Sequence, residues 1–365
     1  MVEEQIVEEL TEVLHQAQKR QEEQVNQEYK AEIAAVEAEH QESLHQIDEI
    51  LTEQIDTLLT SHSAELNDNV SDFQQLLEEL QGAAYDWDDE FWHTFTPRRE
   101  GDPPACHRVG KLRINGHFNQ LETLALLPII DGQNVIFKAS GAAKDQALQA
   151  FQSLILRLVA ASPVGRVLLV TIDPQGRGDN VVGLVDINQK ETTEMTAYIE
   201  ANLDNLLRHL SSVEETYLSY TCPTLADIRS HRGIYPIPHR ILAIANFPHG
   251  FSTTAIQKLA VIMKQGAKCG VHTVMVADTD LATEADLEKL DNSASVISYQ
   301  QDRFVYQNME YSEESPQDFD LELDRLPEAS LAQTIIGAVG KLAMNHQADT
   351  TLPLSDTSAT SAEDE

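Results

Sequence analysis

Basic residues are scarce in this chain of 365 residues: 25 Lys and Arg stand against 60 Asp and Glu, a formal charge of −35. A protein that grips nucleic acid through its own charge needs a basic surface, because release of phosphate counterions drives that binding. Direct DNA binding by the full chain is therefore disfavoured, and an anionic membrane surface would repel it too. Cysteine is also scarce. Cys106, Cys222 and Cys269 lie far apart and form no C-x-x-C pair, which speaks against a disulfide framework or a zinc site and for a reducing cytoplasm. Long apolar runs are missing. The most apolar stretch, Leu154 to Val170, is interrupted by Arg157, Pro163 and Arg166, whereas a membrane span needs about 20 mostly apolar residues. The opening MVEEQIVEEL is acidic and lacks a basic segment followed by an apolar one, so no secretory signal is read and no membrane insertion is expected. No G-x-S-x-G elbow is present, which removes the commonest signature of a serine hydrolase.

Glycine and proline are absent from the first 80 residues; the first of each are Gly82 and Pro97. Glu, Gln, Ala and Leu dominate there, all good helix formers. Apolar residues recur in steps of three and four, as in Val25, Tyr29, Ile33 and Val36, then Leu44, Ile47, Leu51, Ile55 and Leu58. That spacing draws one narrow stripe along a helix whose other faces are charged, and such a helix needs a partner. The weak helix formers Ser61, His62 and Ser63 allow a bend, so a helical hairpin or a coiled coil is expected over residues 1–82. The charge is uneven as well. Residues 1–90 carry −22, residues 91–300 carry −2 and residues 301–365 carry −11, an asymmetry that suggests segments with different roles.

Residues 83–106 read as an aromatic, Pro-containing linker. Tyr85, Trp87, Phe91, Trp92 and Phe95 crowd into it, and aromatics bury much area per residue. This is the pattern of a docking segment. From residue 107 to 345 strands alternate with helices. The runs VIFKA, RVLLVTI, RILAIA and VHTVMVA read as strands, and continuously apolar ones belong in a mainly parallel sheet covered on both faces. Residues 346–365 are polar and rich in Ser, Thr and Asp, as in a disordered acidic tail.

A strand, a Gly-containing turn and a helix over 134–161 stand where a nucleotide-binding α/β protein carries its phosphate loop. That loop has the form G-x-x-x-x-G-K-[ST]. Its glycines let backbone N–H groups wrap the phosphates, its Lys neutralises their charge and its hydroxyl holds Mg²⁺. Here the segment is Ala139-Ser140-Gly141-Ala142-Ala143-Lys144-Asp145-Gln146. Laid on the pattern, Ala139 and Lys144 replace the two glycines, Asp145 takes the Lys place and Gln146 the hydroxyl place. A shift by one restores Lys144 as the lysine but puts Ala143 for glycine and Asp145 for the hydroxyl. The second site departs in parallel. An active ATPase ends an apolar strand in Asp to hold Mg²⁺, whereas this strand runs into Asn246-Phe247-Pro248. Asp173, Gly176 and Gly178 follow another buried strand and form a candidate ligand-edge turn. The histidines His107, His231, His239, His249 and His272 make no spaced pair with carboxylates on a helix, and no metal site is expected. Arg229, Arg232 and Arg240 with His231 and His239 read as a solvated loop or a small basic spot.

Residues 108–277 resemble the non-catalytic ATPase-like module of some large FtsK/SpoIIIE-type DNA translocases. The matching stretches are RVGKLRI, LQAFQSLILRLVAASPVGRVLLVTIDPQGRG, HRILAIANFPHGFS and KQGAKCGVHTVMVAD. The resemblance implies a RecA-like, P-loop-NTPase-like domain behind the helical arm. In such translocases a competent ATPase module typically follows, and no second phosphate loop occurs within these 365 residues. The expectation is thus a cytoplasmic scaffold or regulator without catalytic residues or cofactor. It would associate through residues 1–80 with itself or a partner helix, and with an active FtsK-type ATPase. Two other readings compete: an ATP-binding DNA-translocase component using Lys138 or Lys144 in a non-standard loop, and a structural coiled-coil protein.

Overall fold

The computed structural model describes residues 2–115, 120–175, 192–233, 235–307 and 319–350, apart from the side chains of some residues at element ends and within the first helix. The chain divides into two compact units, residues 1–75 and 76–365. Helix α1 runs from Val2 to Leu80 without interruption. Ser61, His62 and Ser63 do not break it, so of the two expected forms, hairpin or coiled coil, the hairpin is not formed. Serine and histidine cost a helix only a few tenths of a kcal/mol each, and no glycine or proline is there to stop it.

The second unit is built on one nine-stranded sheet in the order β2-β1-β9-β8-β7-β3-β6-β5-β4. The strands are β1 (Cys106–Asn115), β2 (Gln120–Pro128), β3 (Asn134–Ala139), β4 (Val167–Ile172), β5 (His239–Phe247), β6 (Val271–Asp278), β7 (Ala294–Gln300), β8 (Arg303–Gln307) and β9 (Phe319–Leu323). Five of them, β7-β3-β6-β5-β4, run parallel. The other four extend the sheet antiparallel from β7. The helices are α2 (Gly141–Ala161), α3 (Thr192–Thr216), α4 (Leu225–Arg232), α5 (Thr253–Gln265), α6 (Glu284–Asp291) and α7 (Ala329–Thr350). Helix α7 thus continues into the segment read as tail, and residues 351–365 lie outside the described ones.

Successive residues of a strand point to opposite faces, and both faces here are covered. Along β5, Ile241, Ala243 and Ala245 join the core under α2. Leu242, Ile244 and Phe247 join the core under α3 to α6. A strand buried on both sides has no polar alternation, which is why its sequence reads as a continuous apolar run. Helix α2 is itself covered twice. Phe151, Leu154, Ile155 and Leu158 face the sheet, while Leu156 and Ala160 meet Trp87, Trp92, Ala332 and Ile335.

The aromatic segment is held by charge as well as by area. Arg157 is fully buried. It donates to the carbonyls of Gly82 and Tyr85 and, at 3.0 Å, to Asp324. Its guanidinium lies 4.3 Å from the Trp87 ring centroid, a cation–π contact. Arg108 adds ion pairs to Asp86 at 2.7 Å and Asp324 at 2.9 Å.

Candidate functional site

In open α/β sheets ligands bind beyond the carboxyl ends of the strands, where neighbouring strands send their helices to opposite faces. Strands β3 and β6 are such neighbours: β3 leads into α2 on one face and β6 into α6 on the other. The crevice between their ends is therefore the place to look. The segment singled out from sequence lies there, with Ala139 closing β3 and Lys144 in the first turns of α2.

The connection from β3 to α2 is a single residue, Ser140, in extended conformation with φ −137° and ψ 170°. Gly141 opens the helix at φ 53°, a left-handed value that costs glycine little. The carbonyl of Ala139 accepts from the N–H of Thr279 at 3.2 Å. A one-residue turn has no backbone to wrap around a phosphate.

Charge is settled as tightly. Lys144 Nζ donates to Asp278 Oδ2 at 2.7 Å. The other oxygen of Asp278 accepts from the N–H of Asp280 at 3.1 Å. The side chains of Lys144 and Asp278 are 16% and 12% exposed, so the pair closes the crevice instead of standing in solvent. Lys138, the other lysine considered for phosphate, is paired with Asp291. Asp145 and Gln146 are exposed. Gln146 lines an open groove of about 440 Å³ with Arg113, Arg303 and Tyr299.

Asn246 is buried and adopts φ 60°. Its amide donates to Asp173 Oδ1 at 3.2 Å, tying the ends of β5 and β4 together. Asp173 is buried too. Gly176 and Gly178 lie outside the described residues, so the candidate turn is represented by Asp173 alone. The N–H of His249 donates to the carbonyl of Asn246 at 3.0 Å, and Gly250 takes φ 76°. A side chain there would meet Ile199 at 3.2 Å.

Three features of these residues differ from a standard Mg²⁺-nucleotide site. The turn gives no cradle, each of the two lysines already holds a carboxylate, and the Mg²⁺ position of β5 holds an amide that is itself a donor to Asp173.

The opposite end of the sheet carries a cluster that sequence reasoning missed. Asp131, His239 and His272 bring their ligand atoms within 4.8 Å of one another. Arg229 sits among them, paired with Asp131 and 3.1 Å from His239 Nε2. His239 Nδ1 lies 3.3 Å from His272 Nε2, and Asp131 N–H donates to His272 Nε2 at 3.3 Å. Burial, joined by the charge on Arg229, holds both imidazoles down at about 3. Tyr235 stacks beside them under Arg166 and Arg229; burial pushes its phenol up to about 12. A guanidinium inside the group opposes a cation, and the group is a hydrogen-bonded network in which His272 Nδ1 and the Tyr235 hydroxyl have no partner. The expected solvated loop is corrected here: Arg229 and His239 come together in a largely buried junction. A cavity of about 810 Å³ also opens at this end, beside Asn134, Met263 and Ser293.

Comparison with known proteins adds the following. No family model and no curated protein matches the sequence. Solved structures similar to this chain include ATPase domains of EssC and EccC and a conjugation coupling protein. One is EssC (ATPases 2 and 3) from Geobacillus thermodenitrificans, at 12% identity and TM-score 0.48, covering 70% of this chain and 52% of that one. Another is Thermomonospora curvata EccC (ATPases 2 and 3) in complex with a signal sequence peptide, at 13% identity and TM-score 0.47, covering 72% and 49%. The pCW3 conjugation coupling protein TcpA with ATPγS matches at 11% identity and TM-score 0.44, covering 71% and 74%. The chain spans about half the length of the first two structures it matches. The second unit is a nine-stranded mixed sheet between helices, five of its strands parallel, with the long helix α1 before it in sequence. No helix among the described residues is long and apolar enough to cross a membrane.

Proposed function

We propose that this chain is a non-catalytic FtsK/SpoIIIE-like ATPase-fold module, a scaffold or regulator in an assembly whose active ATPase is another subunit. The observation that carries the reading is the Lys144–Asp278 ion pair across the crevice. We read Asp278 as the resting partner of a lysine that is not offered to a phosphate. The lysine holds the neighbouring strand, behind a one-residue turn. Asn246 in place of a carboxylate supports the same reading. The arm supplies association and the RecA-like unit supplies a docking surface shaped like an ATPase subunit. A cytoplasmic place fits the unpaired cysteines.

A ligand that binds only the folded state raises stability by RT ln(1 + [L]/Kd). Thermal unfolding of the purified chain should therefore give the same Tm with and without millimolar Mg²⁺-ATP. A rise of several degrees with Mg²⁺-ATP, absent with Mg²⁺ alone, would falsify the non-catalytic reading.

A further inference from the structure

The apolar stripe of α1 has a finer period than steps of three and four. From Val25 the spacing is four, four and three, repeated every eleven residues. One column is Val25, Val36, Ile47 and Leu58; the next is Tyr29, His40, Leu51 and His62; the third is Ile33, Leu44, Ile55 and Leu66. Eleven residues in three turns is about 3.67 per turn, close to the 3.6 of an unstrained helix, so the stripe runs almost straight. A seven-residue repeat would instead drift around the helix and impose a left-handed supercoil.

The stripe is exposed in the first unit. Val25, Ile33, Val36, Ile47, Ile55 and Leu58 are between 41% and 65% accessible. The third column continues to Leu77 and the first, past Asn69, to Leu80, both in the second unit. There they meet Ala161, Leu124 and Leu126, and Leu80 is only 6% exposed. Where this face has a neighbour, it packs.

Charge selects the occupant. Residues 31–80 contain 13 Asp and Glu and no Lys or Arg. Glu32, Glu37 and Asp48 fall on the shoulders of the stripe. Two copies of this helix paired over residues 31–80 would set carboxylate against carboxylate with no Lys or Arg in that stretch to offset them. Like charges across such seams destabilise pairing, and opposite charges set partner choice.

We propose that the arm is the acidic half of a heteromeric coiled coil. Its partner is a basic amphipathic helix whose apolar residues follow the same eleven-residue spacing, not a second copy of this chain. The inference rests on the association role given to the arm above. It adds the partner's chemistry and a nearly straight, slightly right-handed pairing geometry.

The test uses two synthetic peptides copying residues 25–58. One keeps every Asp and Glu; the other carries Lys at each of those positions. Binding to the full chain is read by fluorescence anisotropy at about 50 mM and about 300 mM salt, between which the screening length falls roughly 2.4-fold. The full chain is also sedimented alone. The expected result is a monomeric chain that binds the Lys peptide at least about tenfold more tightly than the acidic one, with the preference shrinking in high salt. Ile47→Glu in the full chain, at an exposed position, should abolish that binding and leave the helical content unchanged. Equal binding of the two peptides, or a dimer of the full chain that the Lys peptide does not displace, overturns the proposal and leaves the arm an association element. A monomeric chain that binds neither peptide overturns both.

Discussion

Lys144 on α2 and Asp278 at the end of β6 face each other 2.7 Å apart, 134 residues distant in sequence, across the crevice where a nucleotide's phosphates would lie. The pair is partly buried and hydrogen-bonded, so its value lies in neither member being left alone.

Asp278→Asn should leave Lys144 facing a neutral amide and lower stability by about 1–3 kcal/mol. Urea denaturation followed by far-UV circular dichroism measures it. Lys144→Met combined with Asp278→Leu should cost less than the two single changes added together. Strict additivity would mean that the two residues do not interact.

Arg157 is a second joint. Replacing it with Met removes its bonds to the carbonyls of Gly82 and Tyr85 and leaves Asp324 with Arg108 alone. Breaking a buried ion pair on one side costs about 3–5 kcal/mol. The two tryptophans of the chain, Trp87 and Trp92, both sit in the segment that Arg157 holds. Intrinsic fluorescence should therefore shift to the red in Arg157→Met well before the far-UV signal is lost on denaturation. Coincident transitions at the wild-type midpoint would show that Arg157 holds nothing.

Acid should unfold the second unit through its histidines. Burial, with Arg157 close by, holds His107 down at about 3, and His239 and His272 are held there as well. Between about pH 3 and the unfolded value of about 6.5 the unfolded chain takes up protons that the native one refuses. Stability is therefore full above about pH 6.5 and falls as the pH drops, by up to about 1.4 kcal/mol per pH unit for each histidine. Asp86 acts in the same sense. Burial raises its carboxyl, but Arg108 holds it lower on balance, so its contribution is lost as pH falls through the carboxylate range. Urea midpoints measured from pH 7.5 to about 4.5 give the slope, and His272→Gln should flatten it by about one proton. An unchanged slope in that variant would show that His272 is protonated in the native protein.

Much of this architecture was legible in the residues. The absence of glycine and proline before Gly82 announced α1, and the apolar runs announced β3, β4, β5 and β6, because strands covered on both faces leave no polar positions. Three strands were not. β2, β8 and β9 pair antiparallel toward the far edge of the sheet, and short half-covered segments carry little periodicity. Ala139-Ser140-Gly141 and Asn246 could be singled out in the residues as candidates, since a departure from a local motif is read locally. What closes it was not. Asp278 was visible as the last residue of an apolar strand, but its pairing with Lys144 depends on β3 and β6 lying side by side. The junction of Arg229, Asp131, His239 and His272 was hidden for the same reason: its members come from four separate stretches of chain.

Residues 76–365 should fold without the arm. They form their own compact unit, with Leu80 and the aromatic segment retained. Deletion of residues 1–75 should leave Tm and tryptophan emission unchanged while removing binding of the Lys peptide. A large fall in Tm would mean that the arm is part of the fold and not an appendage.

The most direct test of the central claim is a calorimetric titration of the purified full chain with Mg²⁺-ATP. With Lys144 committed to Asp278, the expected trace shows only heats of dilution up to millimolar nucleotide, for the wild type and for Lys144→Ala alike. Micromolar binding by the wild type that disappears in Lys144→Ala would contradict the account, because it would make Lys144 a phosphate ligand and the crevice a working nucleotide site.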